Sequence, residues 1–218
     1  AHSLRYSAPE SNEVAIVISE EKHVGKSEKE LINKVFPNLS TQHKNHKWLS
    51  ERAVLASKNT TVNEINFELL KCLLGHCQSY RSSDTVVDQS QLGLKLGAPI
   101  MLLRNLDPLK LCSGVRLIVK KMMPHIIEAT VLSGACDNVF IARIPLIPTH
   151  FPVQFKIVQF PVRLSFARSI NKSHGQTLSA TGLQSEELCF SHGQLYVGCS
   201  CVGSSKKSVY LYTSVKNS

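Results

Sequence analysis

The sequence predicts an α/β domain that is interrupted by a small β-barrel, and three observations lead to this fold class. Capped amphipathic segments alternate with a short apolar strand up to residue 91, and short β-type runs separated by turn residues follow over residues 92–160. After Pro161 the α/β pattern returns. With 218 residues, of which 43% are hydrophobic, the chain is long enough and apolar enough to form such cores.

The first helix is predicted from a capping box. Ser27 is followed three residues later by Glu30, so each side chain can bond the backbone N–H group of the other at the start of a helix over Glu28–Phe36. The rest of residues 1–47 is polar apart from one apolar run, Val14–Ile18, which predicts a short strand. We therefore expect residues 1–47 to form a connector that contains a short helix.

A strand and a longer helix are predicted in residues 48–91. Arg52–Ser57 is a short apolar run that is typical of a strand. Thr61 and Glu64 form a second capping box, and the helix that they open is predicted to end at Gly75. The apolar positions of this helix repeat at helical spacing, and they are Val62, Ile65, Leu69, Leu70 and Leu73.

The barrel is predicted from four β-type runs in residues 92–160, with Asp, Pro, Ser and Gly residues between them. These runs are Leu94–Arg104, Val115–Lys121, Ile126–Leu132 and Val139–Leu146. Residues 161–218 are predicted to complete the α/β domain with a strand over Val162–Phe166, a helix near His192–Cys199 and a strand over Ser208–Thr213.

Positive charge is concentrated in the second part of the sequence. The formal net charge is +9, and it divides into 0 for residues 1–88, +4 for residues 89–150 and +5 for residues 151–218. Nucleic-acid phosphates are the usual partner of such a surplus, because each Lys or Arg that neutralises a phosphate releases counterions, although a solvated basic surface is the alternative. No apolar stretch approaches the roughly 20 residues that cross a bilayer, so no membrane partner is expected.

The seven cysteines form no recognisable disulfide framework, which favours a reducing, intracellular compartment. Two groups have the residue types of a zinc site, namely Cys189, His192, Cys199 and Cys201, and Cys72 with His76 and Cys77. The C-x-C pair is one residue short of the usual C-x-x-C loop. Structural thiols are therefore preferred, and no metal site is predicted.

The tripeptide Gly25–Ser27 has the order of a phosphate-binding loop, because it follows an apolar run and precedes a helix. That loop needs a further glycine five residues before Gly25, and Glu20 stands there with Glu21 beside it. Two carboxylates would repel phosphate. A capped helix start is therefore the preferred interpretation of this segment.

Six longer motifs occur in a fixed order: ELINKVFPNL, WLSERAVLASKN, LKLGAPIMLLRNLD, LCSGVRLIV, QFPVRLSFARSINKSHGQTL and FSHGQLYVGCSCV. Together they resemble the carboxyl-terminal half of PIF-type helicases, most closely the Helitron transposon branch of superfamily 1B, over roughly residues 29–215. The resemblance implies a RecA-like second motor domain in residues 48–91 and 161–218, interrupted by an SH3-like barrel in residues 92–160. It also implies a nuclear 5'-3' DNA helicase that uses ATP and magnesium.

The resemblance assigns four residues to nucleotide binding. WLSERAVLASKN is similar to the fourth helicase motif, which implies that Lys58 and Asn59 lie at the edge of the nucleotide cleft. SINKSHGQTL is similar to the fifth motif, which implies that Gly175 and Thr177 approach the ATP phosphates. Without a ligand, Lys58 and Asn59 would simply join a strand to a helix.

Five further residues are assigned to DNA binding. In the fifth motif, Ser169, Asn171 and Lys172 would face single-stranded DNA, and hydroxyl, amide and ammonium donors after a strand suit phosphate oxygens. Arg104 and Arg116 resemble residues in the polar loops of the inserted barrel. They would line the DNA channel, or else lie on a solvated barrel rim.

The departures from the family concern ATP hydrolysis. The sixth motif normally ends in Ser-Arg, and here Ser200 is followed by Cys201. An arginine that stabilises the transition state contributes about 10³ to 10⁵ in rate in well-studied nucleotide hydrolases. The Walker A loop, the Asp-Glu pair for magnesium and the first motor domain have no counterpart in this sequence. We therefore expect no catalytic residue, no cofactor bound by this chain alone, and no ATP hydrolysis without a missing N-terminal motor domain.

Three functions stay open at this point. The chain is the carboxyl half of a helicase that works with a first motor domain from a longer product or another chain. Alternatively, it is a basic module that binds single-stranded DNA without ATP. The third interpretation is an inert Helitron transposon remnant.

Overall fold

The computed structural model describes residues 23–24, 27–82, 91–108, 110–132, 138–146, 157–173, 178–185, 197, 201 and 208–213. The helices are α1 Glu28–Val35, α2 Leu39–Gln42, α3 His46–Ser50 and α4 Asn59–Cys72, with a 3₁₀ turn at Ile170–Lys172. The strands are β1 His23–Val24, β2 Arg52–Ala56, β3 Gln78–Arg81, β4 Gln91–Leu94, β5 Pro99–Leu102, β6 Arg116–Met122, β7 Ile126–Val131, β8 Asn138–Ala142, β9 Ile144–Leu146, β10 Ile157–Gln159, β11 Val162–Leu164, β12 Ala167–Ser169, β13 Ala180–Ser185 and β14 Ser208–Thr213.

A parallel sheet with strand order β1-β14-β13-β2-β12 is the centre of the α/β layer. Helices α1 and α4 cover one face of it, and Leu31, Val35, Ile65 and Leu69 belong to the apolar core between helices and sheet. A Cβ atom at Gly182 in β13 would lie only 2.9 Å from a methyl group of Val35. The helix that was expected inside a connector is therefore tightly packed on the sheet.

A second, antiparallel sheet with order β11-β5-β6-β7-β8 is inserted between β2 and β12 of the first. Its core includes Leu117, Val119, Ile127 and Ile141. Two ribbons, β3 with β4 and β9 with β10, accompany it. In the part of the chain that the structure describes, these strands form an open sheet and two ribbons, and no closed barrel is present.

The predicted strand over Val162–Phe166 is real but belongs to the other sheet. β11 pairs with β5 in antiparallel register, Val162 opposite Leu102, so the inserted sheet continues past residue 160 and the α/β layer resumes at β12. The apolar pattern of a short strand does not indicate which other strand it pairs with. The sequence alone therefore assigned this strand to the wrong sheet.

The start of α4 also differs from the prediction. The helix begins at Asn59, with Lys58 at the N-cap and without a side-chain capping bond, whereas Thr61 is buried inside the first turn. By contrast, the capping box of α1 is confirmed on its N-cap side, since the Glu30 backbone N–H donates to Ser27 Oγ at 3.2 Å. A local signal therefore identified both helices, but only one of the two starting residues.

Two predicted strands are each divided in the structure. Gly97, with a φ of +77°, separates β4 from β5 in the run predicted as Leu94–Arg104, and Arg143 separates β8 from β9 in the run predicted as Val139–Leu146. β2, β6, β7 and β14 lie where strands were predicted. The strand predicted at Val14–Ile18 lies outside the described residues, as does the region 192–199 apart from Val197.

Among the helices of the described residues, none has the length and apolar character needed to span a membrane.

Candidate nucleic-acid interface

Two neighbouring parallel strands end at the same edge of the α/β layer. β2 and β12 pair in parallel with Ser169 opposite Ala56, so the residues that follow each strand leave the sheet side by side. Lys58 and Asn59 follow β2, and Asn171 and Lys172 follow Ser169. Four of the five residues are exposed, and Ser169 is half-buried. The structure therefore brings these five predicted site residues to one edge.

The turn after β12 is held by one buried side chain and by hydrogen bonds to its backbone. Ile170 is 1% exposed and belongs to an apolar core with Leu55 of β2. Ser173 Oγ donates a hydrogen bond of 2.6 Å to the Ile170 carbonyl, and Cys201 Sγ donates one of 3.1 Å to the Ser173 carbonyl. These contacts hold the 3₁₀ turn in place, so that Asn171 and Lys172 are presented to solvent on a fixed backbone.

The segment after β2 contributes the amino end of a helix. Lys58 is the N-cap residue of α4, its backbone is extended, and it makes no side-chain capping bond. The first turn of α4 contains no acidic residue. The first N–H groups of a helix have no intrahelical acceptor, and the helix dipole favours negative charge at this end. This corner can therefore bind an anion, and phosphate oxygens are suitable acceptors.

A buried asparagine fixes the two segments relative to each other. Asn66 of α4 donates from Nδ2 to the carbonyls of Ala167 at 2.9 Å and Leu164 at 3.3 Å, and it accepts from the Ala167 N–H at 2.8 Å. Asn66 is 3% exposed. The start of β12 is thereby bound to α4, the helix whose N-cap is Lys58, and this fixes the two segments of the edge relative to each other.

Arg104 lies on an ordered loop of the inserted sheet, between β5 and β6. Asn105 Oδ1 accepts from the Ser113 N–H at 2.7 Å, and Ser113 Oγ donates to the Leu103 carbonyl at 3.2 Å. Gly114 turns the chain with a φ of +95°, a conformation that residues with a Cβ rarely adopt. Arg104 itself is exposed, as both interpretations of it expected.

Arg116 does not lie on a solvated rim or in an open channel, and both expectations for it were wrong. Its side chain is buried, with 5% exposure, and makes five hydrogen bonds. The acceptors are the carbonyls of Leu49, Ser50, Arg52 and Ser165 and the Ser165 hydroxyl, at 2.9 to 3.2 Å. Since its donors all point at the protein interior, Arg116 joins the inserted sheet to the start of β2 and to the segment just ahead of β12.

Burial weakens the positive charge of this arginine without removing it. Desolvation, together with the neighbouring charge of Arg168, lowers the pKa of Arg116 to about 9. Arg168 in β12 is fully buried, and burial lowers its pKa to about 10. Both guanidinium groups therefore remain protonated at neutral pH, and neither is available to a ligand in solvent.

The other predicted groups divide into those outside the described residues and those without a ligand geometry. Gly175 and Thr177 lie outside the described residues. Cys72 and Cys77 are exposed free thiols, and within the described ranges no cluster of three His, Cys, Asp or Glu side chains could hold a metal ion. In the group of Cys189, His192, Cys199 and Cys201, only Cys201 is among the described residues, and it is buried.

Sequence reasoning missed the structural role of two buried polar residues, Asn66 and Arg116. Asn66 occupies a helix position between apolar neighbours, and Arg116 lies in the strand run VRLIV. A buried polar residue must be hydrogen-bonded, so a polar side chain on the apolar side of a predicted helix was a usable signal for Asn66. For Arg116 no such local signal existed, because alternation along a strand also allows an exposed arginine.

Comparisons with known proteins identify the fold. Residues 85–122 match the family described as DNA helicase Pif1, 2B domain, and no curated protein matches the chain. The solved structure of forked-DNA unwinding by two coordinating Pif1 helicases is 22% identical, with a TM-score of 0.60, over 86% of this chain and 48% of that one. Bacteroides Pif1 with ADP-AlF3 and single-stranded DNA is 19% identical, with a TM-score of 0.58, over 86% and 49%. Candida albicans Pif1 is 20% identical, with a TM-score of 0.61, over 84% and 52%.

These matches show the fold: the chain has a mixed α/β fold like that of the solved Pif1 helicase structures. The resemblance to Pif1-type helicases that the sequence motifs predicted is confirmed by the family match over residues 85–122 and by the shared fold. The chain spans about half the length of the solved Pif1 structures that it matches.

Proposed function

We propose that this chain is the DNA-contacting half of a Pif1-type, ATP-dependent 5'-3' DNA helicase, and that it needs a separate N-terminal motor domain for ATP hydrolysis. In this proposal the parallel sheet and its helices are the RecA-like second motor domain, and the inserted antiparallel sheet corresponds to the SH3-like barrel. The observation that carries the proposal is the convergence of Lys58, Asn59, Ser169, Asn171 and Lys172 at one edge of the parallel sheet.

The chemistry of this edge suits a single-stranded backbone. Two ammonium groups, two amides, a hydroxyl and the amino end of α4 are all hydrogen-bond donors to phosphate oxygens. None of them reads a base edge, so binding is expected to be independent of sequence. Residues 89–218 supply a net charge of +9, which raises the affinity for any phosphate backbone at low salt.

ATP is the nucleotide that the family resemblance implies. Of the two parts of its expected site in this chain, the start of α4 suits a phosphate group, and the position of Cys201 does not. The resemblance assigned Lys58 and Asn59 to the nucleotide, and the start of α4, which has no acidic residue in its first turn, can bind one phosphate group at a time, either from DNA or from ATP. Cys201, at the place of the family arginine, is 2% exposed, and its Sγ lies within hydrogen-bond distance of two backbone carbonyls, those of Ser173 and Val197. When bound, ATP with magnesium would supply the free energy for translocation, whereas these residues only bind and orient its phosphates.

The DNA part of the proposal is tested by a salt titration with a labelled oligothymidylate. The logarithm of the affinity should fall linearly with the logarithm of the salt concentration, and Lys172→Ala should lower the slope by about 0.7, the value for one phosphate contact in single strands. Lys71→Ala is the matched control, because Lys71 is an exposed lysine at the opposite end of α4. A slope that changes equally in both variants would reduce the proposal to general basicity.

The ATP part is tested by steady-state hydrolysis with and without single-stranded DNA. We expect no turnover above a blank from this chain alone, because the Walker A loop and the Asp-Glu pair for magnesium have no counterpart in this sequence. Cys201 cannot supply the charge of a transition-state arginine, so turnover restored by a first motor domain should stay slow. Turnover that disappears in Cys201→Ala would contradict the proposal.

One observation favours a second candidate, a basic module that binds single-stranded DNA without ATP. All of the net positive charge lies after Asp88, which includes the inserted sheet and the β12 turn. The two candidates differ in one measurement: addition of a Pif1-type first motor domain restores ATP hydrolysis only if the chain is half of a helicase.

A further inference from the structure

The outer face of the inserted sheet carries a β-bulge that presents two successive lysines. Val119 and Met122 of β6 both pack into the core of the sheet, and the pairing register with β7 shifts between Val119 and Lys121. In a regular strand, one of the two residues between them would point inward. The bulge instead leaves both Lys120 and Lys121 exposed, which is the kind of side-chain redirection that bulges produce near binding sites.

An exposed phenylalanine lies on the same face. Lys121 pairs with Glu128 of β7, and Glu128 pairs with Phe140 of β8, so the three residues form one cross-strand row. Phe140 is 64% exposed, and Ile126, diagonally beside it, is 39% exposed. Within the described residues no ring or cation packs on Phe140. The similarly exposed Phe67 of α4 differs in this respect, because the Lys71 ammonium lies 4.4 Å from its ring centre.

The first residue of helix α3 lies near Lys120. Burial, together with the ammonium charge of Lys120, lowers the pKa of His46. Two exposed lysines, Lys44 and Lys47, flank His46 in the sequence. In the cross-strand row, Glu128 is the one carboxylate.

We propose that this bulge surface, formed by Lys120, Lys121 and Phe140, is a second contact for single-stranded DNA, in which a base stacks on the Phe140 ring and the two lysines bind the adjoining phosphates. The inference rests on the proposed function for its ligand class. It adds a site on the inserted sheet, away from the edge formed by the ends of β2 and β12.

The combination of groups is what selects a single strand. An exposed ring beside lysines is how proteins bind single-stranded nucleic acid without sequence preference, because every base has a face that can stack. The bases of a duplex are already stacked on each other. The phosphates of a duplex would therefore bind the lysines, but no base would stack on Phe140. A purely apolar partner would leave the lysines around the ring without counter-charges.

The test measures the affinity of the full chain for a labelled oligothymidylate and for an abasic oligonucleotide of equal length. Phe140→Ala should weaken binding to oligothymidylate by about fivefold or more, with an unchanged salt slope, because a stacked base contributes roughly 1–3 kcal/mol. The same variant should bind the abasic strand as the wild type does. Phe140→Tyr keeps a ring and should retain the affinity, and Phe67→Ala is the matched control, with no expected change.

Variants of the two lysines should change the salt slope, which Phe140→Ala leaves unchanged. Lys120→Ala combined with Lys121→Ala should lower the salt slope by about 1.4, or 0.7 for each phosphate contact, for both oligonucleotides. The bulge surface is not a stacking site for single strands if Phe140→Ala leaves the affinity for oligothymidylate unchanged. The same conclusion follows if the variant weakens binding to the abasic strand or to a blunt duplex as much as binding to oligothymidylate. Wild-type protein that binds no single strand at all contradicts the proposed function itself. A loss in Lys172→Ala without one in Phe140→Ala contradicts this inference alone.

Discussion

The two sheets of this protein place their polar groups in different positions. In the parallel sheet, Ala53–Ala56 of β2 are all buried, and the candidate site begins only after the strand has ended. In the antiparallel sheet, alternate residues of β8 reach solvent along the strand, and these are Asn138, Phe140 and Ala142. A parallel sheet that is covered on both faces can present function only at strand ends, whereas an antiparallel sheet with one open face can present it along its length.

The junction between the two sheets differs again, because it is polar and buried. Arg116 bonds the carbonyls around the start of β2 and ahead of β12, and Asn66 bonds the backbone on both sides of Phe166. The junction is therefore a set of hydrogen bonds in a low-dielectric interior, where the loss of one partner is costly. Variants of the junction are therefore expected to lose more stability than variants of the covered parallel sheet.

The largest effect is expected from Arg116→Met. The variant removes five hydrogen bonds, which four carbonyls and a hydroxyl accept in buried or part-buried positions, so the free energy of unfolding should fall by about 3 kcal/mol or more. Urea denaturation measures the loss. Arg116→Lys should recover only part of it, because an ammonium group has three donors and no planar fork. Arg104→Met, at an exposed position, is the control, and a loss in Arg116→Met no larger than in this control would contradict the junction role.

Asn66→Ala is expected to have the next largest effect. It removes a side chain that donates twice and accepts once, and we expect a loss of about 2 kcal/mol in the free energy of unfolding, measured in the same way. The neighbouring Asn63 of α4 is exposed, so Asn63→Ala should change stability by less than about 0.5 kcal/mol. Equal effects at both positions would show that helix propensity, rather than the bonds to β12, explains the result.

Gly182→Ala tests how completely the parallel sheet is covered. The added methyl group would meet Val35 at 2.9 Å and Leu31 at 3.1 Å, so α1 must shift, at a cost of about 1–3 kcal/mol. A melting curve measures this cost. Val35→Ala in the Gly182→Ala background should recover part of the loss by making room. If the single Gly182→Ala variant is as stable as wild type, α1 is not packed as closely as described.

Ser27→Ala should have the smallest effect of the four. The Ser27 hydroxyl oxygen accepts from the Glu30 N–H in the first turn of α1, and the loss of such a cap typically costs about 1 kcal/mol. Ser27→Asp should keep the stability, since an aspartate oxygen accepts the same bond, and thermal unfolding distinguishes the two. A Ser27→Asp variant that is as unstable as Ser27→Ala would mean that the cap is not what the serine contributes.

The sequence predicted those parts of the fold and site that depend on local signals. The cap of α1, the apolar periodicity of α4 and the apolar runs of β2 and β14 each depend on residues close together in the chain, so they could be identified without a partner. The membership of β11 in the inserted sheet, and the burial of Arg116, depend on contacts with residues that are distant in the chain. The position of Lys58, Asn59, Asn171 and Lys172 after strands could also be predicted, and ligand sites of α/β sheets form at such positions, but the roles of these residues stay predictions.

The central claim is that the ends of β2 and β12 form one single-strand contact, and amide hydrogen exchange tests it most directly. The first amides of α4 have no intrahelical acceptor and should exchange fast in the free protein. With saturating oligothymidylate, we expect slower exchange at residues 59–61 and at residues 171–173 together, and loss of both effects in Lys172→Ala at the same DNA concentration. Slower exchange at only one of the two segments, or at neither while DNA is bound, would contradict the claim.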